Sequence, residues 1–174
     1  MEALHAWHEF YLLVGTAAAT VLALLFVAVS LGAGHLTTQN QGPTRTFMSP
    51  VVIHFTSVFF IAAVCLIPSH GPFFFATLIT TTAALGATVS VVVSVRVVRR
   101  EWTQYVPDYL CYGLLPAAAY LTLLISGIMI YAGMNYAPEV LAGALLALTI
   151  VNIRNAWDLT LSMVRRHADK RRSK

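Results

Sequence analysis

Charge is scarce in this chain. Of its 174 residues, 10% are Asp, Glu, Lys or Arg and 58% are hydrophobic, whereas soluble domains carry roughly a quarter charged residues. A soluble fold of this length cannot hide so much apolar surface, so lipid must cover the rest. Basic residues are missing from Met1 to Glu9, which excludes the basic leader of a secretory signal, and the apolar run that follows is long enough to span. The first segment is therefore expected to be retained. Cysteine is limited to Cys65 and Cys111. They are expected at opposite membrane depths, too far apart for a disulfide, and two lone thiols make no metal site. The chain has no glycine-rich phosphate loop, no zinc-protease His-Glu-x-x-His pattern and no defensible internal repeat. Its many Ser and Thr residues show no matched His/Asp spacing for a hydrolase, so a catalytic role is not the favoured expectation.

What is present is a set of five long apolar stretches. They predict an all-α, polytopic membrane protein with five transmembrane helices in one domain, residues 1–164, and a basic cytoplasmic tail, 165–174. Span one runs from about Phe10 to Gly32. A polar segment, Ala33 to Ser49, follows, with Gly42-Pro43 as a turn signal. Ser49-Pro50 reads as an N-cap followed by a first-turn proline, so span two is expected from Pro50 to about Pro68. Pro72 opens span three, which ends near Val95, and Glu101 to Asp108 connects it to span four, Tyr109 to Gly133. Pro116 should kink that span or free a backbone carbonyl. Span five is expected from about Glu139 to Val164.

The charges orient this threading. Arg45 falls between spans one and two. Arg96, Arg99 and Arg100 fall between three and four, and Arg165, Arg166, Lys170, Arg171, Arg172 and Lys174 form the tail. All lie on one side if five spans cross, and Arg154 alone lies inside a span. The positive-inside rule then places the N-terminus outside and the C-terminus inside. Basic residues gathered at helix ends suit anionic lipid headgroups, not nucleic acid. Small size and simple loops suit a bacterial cytoplasmic membrane.

Small residues recur at four-residue spacing: Gly15, Ala19 and Ala23 in span one, Thr82, Gly86, Ser90 and Ser94 in span three, Gly143 and Ala147 in span five. Such stripes let helix backbones approach closely in lipid. They serve packing within the bundle or pairing of protomers, and a homo-oligomer is a reasonable expectation for so small a bundle.

Two polar clusters carry the candidate chemistry. The first is on span five, where Asn152, Arg154, Asn155 and Asp158 form a polar arc, with Arg154 and Asp158 one turn apart. Ionisable groups are costly in lipid and normally face a bundle interior or a wet cavity. His54, early in span two, lies in the same half of the membrane and titrates near neutral pH when unperturbed. Together these residues read either as an inward-facing site for an ion, a proton or an anionic group, or as an internal ion pair with structural hydrogen bonds. The second cluster is His5, Trp7, His8 and Glu9, which His70 could join from the turn between spans two and three. Imidazoles and a carboxylate can hold a divalent transition metal or supply axial ligands to haem. An interfacial aromatic belt is the simpler account.

Three functional readings follow. The leading one is a homo-oligomeric channel or transporter subunit using the site on span five. The others are an accessory or assembly subunit of a larger membrane complex, and a His-based metal- or haem-binding membrane protein.

Overall fold

The computed structural model describes residues 6–32, 41–68, 71–99 and 110–172. Five α-helices form the bundle: α1 (His8–Gly32), α2 (Gln41–Leu66), α3 (Pro72–Arg99), α4 (Leu115–Tyr131) and α5 (Ala137–Arg172). A π-helical turn, Leu110–Leu114, leads directly into α4. The helices form because long apolar runs must satisfy their backbone groups internally wherever lipid replaces water. Their hydroxyls obey the same constraint. Thr16, Thr56, Thr88, Thr122 and Thr149 each donate to a carbonyl one turn earlier on their own helix, so none presents an open polar group.

Four described segments are long and apolar enough to cross a membrane: His8–Ser30, Pro72–Val95, Leu110–Tyr131 and Ala137–Leu161. The chain is therefore a multi-pass membrane protein. The apolar part of α2, Pro50–Leu66, is 17 residues long and falls just short by length.

Two local expectations are corrected. Gly42-Pro43 is not a turn, and Ser49-Pro50 does not begin a helix. Both lie inside α2, which starts at Gln41. Pro43 sits in the first turn, where its missing N–H removes no helical bond. Pro50 lies in the interior and marks where polar sequence gives way to apolar. The expected connector, Glu101 to Asp108, lies outside the described residues. The other boundaries shift modestly. Helix α3 runs on to Arg99 and α5 to Arg172, so the helix of the fifth span continues into the basic tail.

The helices alternate in direction. At what we call the head end, the Tyr11 hydroxyl near the start of α1 reaches the Pro138 carbonyl at the start of α5, 3.4 Å away. There too Thr77 near the start of α3 bonds Tyr131 at the end of α4. At the opposite, tail end, the π-turn packs against late α5. Successive helices pack as neighbours, α5 closes the ring against α1, and α2 also packs on α5. Helix α2 is well enclosed: Val51, Phe55, Val58, Ile61 and Ala62 are essentially fully buried.

Two glycines shape the frame. Gly86 on α3 lies against the Tyr120 ring of α4, and a Cβ there would collide with that ring. Close α3–α4 packing therefore needs glycine at this point. Gly133 follows α4 with φ of +67°. Its N–H donates to the Ile130 carbonyl, and that of Met134 to the Met129 carbonyl. This left-handed stop satisfies carbonyls that the helix end leaves open.

Candidate functional site

The polar residues of α5 divide between two faces. Asn152 and Asn155 are 0% and 1% exposed and point into the bundle. The Arg154 and Asp158 side chains are 43% and 38% exposed and form an ion pair of 3.4 Å on the outward face. The helical period accounts for the split, since Asn152 and Arg154 stand about 160° apart around the axis. The predicted arc thus wraps half the helix, and the fold assigns its ends to different surroundings.

Asn155 is tied to the π-turn. In a π-helical turn the Cys111 carbonyl faces the nitrogen of residue 116, and residue 116 is proline, which has no N–H to give. Asn155 Nδ2 supplies the bond instead, at 2.8 Å from the Cys111 carbonyl. The Tyr112 hydroxyl returns a bond to the Asn155 carbonyl at 3.0 Å. The carbonyl that Pro116 was expected to free is therefore bound across helices, so Asn155 has a structural task. Asn152 bonds within its own helix, Nδ2 donating to the Leu148 carbonyl at 2.7 Å.

His54 is 1% exposed. Its Nδ1 stands 2.9 Å from the Tyr120 hydroxyl, and the two rings lie 5.3 Å apart between centroids. Ser57, one turn along α2, adjoins the same hydroxyl. Tyr120 lies midway along the apolar stretch Leu110–Tyr131, so the His54–Tyr120 pair is near half height. Sequence reading missed Tyr120 and Tyr112. The available signal was a tyrosine inside an apolar span, whose hydroxyl needs a partner once buried.

Three nearly fully buried atoms in this region have no hydrogen-bond partner among the described residues: His54 Nε2, Asn152 Oδ1 and Asn155 Oδ1. Thr80 Oγ1, farther along α3, is a fourth. Towards the tail end of the α2–α5 contact lies a groove of about 100 Å³, lined by Leu25, Phe26, Val29, Val51, Val52 and Leu159. It is wholly apolar and offers a polar ligand nothing.

Of the possible metal or haem ligands, His8 and Glu9 are exposed at the start of α1, while His5 and His70 lie outside the described residues. Among the described residues no group of three His, Cys, Asp or Glu side chains converges as a metal site would require. Cys65 and Cys111 are both free. Compared with known proteins, the chain matches no family model, no curated sequence and no solved structure.

Proposed function

We propose that the protein is a subunit of a small homo-oligomeric channel or transporter. It would have five spans, the N-terminus outside and the tail at the cytoplasmic face of a bacterial membrane. Its polar residues would serve two faces of α5: Arg154 and Asp158 on the outward face, and Asn152 and Asn155 on the inward face with His54 from α2. The observation that carries this reading is the two-sided polarity of α5 within an otherwise apolar bundle. Arg154 lies about 26 Å along the helix from Ala137 at ~1.5 Å per residue, in the last turn of a ~30 Å hydrocarbon core, and Asp158, about 32 Å along, lies at its edge. A pair at that edge suits a site open to the cytoplasmic face, and an arginine in the last turn of the core favours protein or water over lipid tails.

The outward stripe supports a second copy as the cover. Gly143, Ala147, Ile150, Arg154 and Asp158 fall on one face of α5 by the helical period, and all five are exposed or nearly so. A Cβ on Gly143 would meet open space, so this small-residue stripe is unused within the protomer. Close approach of α5 from a second protomer along Gly143 and Ala147 would enclose the Arg154–Asp158 pairs of both chains. Positive-inside placement of the arginines and of the tail, near anionic headgroups, supports the orientation.

The test is flux in reconstituted vesicles for protons, monovalent cations and anions. Arg154→Ala and Asp158→Ala should abolish flux while cross-linking still detects the oligomer. Loss of fold in both variants would make the pair structural and remove the main support.

A further inference from the structure

We propose that His54 Nε2, Asn152 Oδ1 and Asn155 Oδ1 bind water inside the bundle, linking the Tyr120–His54 pair of α4 and α2 to α5. The inference deepens the site proposed above by naming its occupant, and it does not depend on transport.

Placement comes first. Val51 of α2 and Leu159 of α5 line the same groove, so those two turns are level. The helices run in opposite directions. One turn from Val51 along α2 lies His54, and one turn back from Leu159 along α5 lies Asn155. Asn152 is about 4.5 Å farther at ~1.5 Å per residue. His54 shares the face of Val51, and both asparagines share the face of Leu159, by i, i+3 and i, i+4 spacing. Three atoms without described partners are therefore gathered within about two turns of one helix contact.

Chemistry then selects the ligand. An amide Oδ1 only accepts, whereas imidazole Nε2 donates in one tautomer and accepts in the other. Water offers two donors and two acceptors, so it matches the set whichever tautomer Tyr120 imposes at Nδ1. An anion would meet two acceptor oxygens. A divalent cation would find no carboxylate among these three side chains. In a bundle with lipid outside, each of these atoms is expensive to leave unbonded, and buried waters characteristically take up two to four such groups. Towards the head end, Val58, Ile61, Leu141 and Leu145 are fully buried, which confines the hydration to the half of the bundle nearer the tail.

Solid-state NMR on the protein in lipid bilayers, ¹⁵N-labelled at histidine only, reads this directly. Magnetisation is transferred from water to the imidazole nitrogens, and the His54 signal is identified by its loss in His54→Gln. If that variant does not fold, the Nδ1 shift caused by Tyr120→Phe identifies it. Water magnetisation should reach His54 Nε2 in the unmodified protein, and the transfer should fall by more than half in Asn152→Leu. Asn155 is left intact because it holds the Cys111 carbonyl. No transfer within the time that reaches exposed His8 would overturn the proposal, as would transfer undiminished in Asn152→Leu. A dry site with intact flux would sink this inference alone; a wet site without flux would sink only the transport reading.

Discussion

The two faces of α5 carry similar polar residues to opposite ends. On the inward face, Asn152 and Asn155 lose all contact with solvent and are held by specific bonds, Asn155 to the Cys111 carbonyl and Asn152 to the Leu148 carbonyl. On the outward face, Arg154 and Asp158 bond only each other among the described residues, with much of each side chain exposed. Asn155 ties α5 to the π-turn, and removing it strands a buried carbonyl, whereas Asn152 fills buried space and bonds within its own helix. The outward residues add little to one protomer, since an i, i+4 pair contributes only a few tenths of a kcal/mol to a helix.

Substitutions can break this contrast, and the largest effect is expected inside. Asn155→Leu leaves the Cys111 carbonyl with neither the proline N–H nor the amide, and should destabilise the fold by about 1–3 kcal/mol. Thermal unfolding in detergent would measure it, and an unchanged melting temperature would deny Asn155 its task at the π-turn. Tyr120→Phe should cost about 1–2 kcal/mol, because His54 Nδ1 loses its hydroxyl partner while the ring still fills the space against Gly86. If Tyr120→Phe and Tyr120→Leu proved equally harmful, the ring and not the hydrogen bond would matter.

Outside, the scale drops. Arg154→Ala should shift stability by less than about 1 kcal/mol, as befits an exposed pair, and its effect should appear in flux instead. A large drop in melting temperature would erase the distinction between the faces. Gly143→Leu should leave the protomer's stability nearly unchanged, because its side chain would enter open space. Its oligomer fraction by cross-linking should fall sharply. An oligomer that tolerates Gly143→Leu would move the protomer contact to another face.

Much of the helical layout was legible in the sequence, because a membrane helix needs a long apolar run and such runs are hard to disguise. Spans one, three, four and five fell close to their observed positions for that reason. The start of α2 was not legible. Ser49-Pro50 has the chemistry of a helix start, yet the helix passes through it from Gln41, and local propensity yields where the chain is already helical on both sides. The candidate site was half legible. Spacing identified polar residues on α5 and a histidine on α2, but no spacing rule pairs His54 with Tyr120, 66 positions away.

By itself, the sequence determined that this protein lives in a membrane, crosses it repeatedly and gathers its positive charge on one side of the expected threading. These properties follow from composition and from the length of apolar runs, which one-dimensional order carries in full. Only the tertiary structure decided which polar residues turn inward. Facing is set by how a helix rotates against its neighbours, and on α5 the apolar stripe of Leu141, Ala144, Leu145 and Leu148 settles that rotation. It buries Asn152 and Asn155 in register with that stripe, and leaves Arg154 and Asp158 looking out.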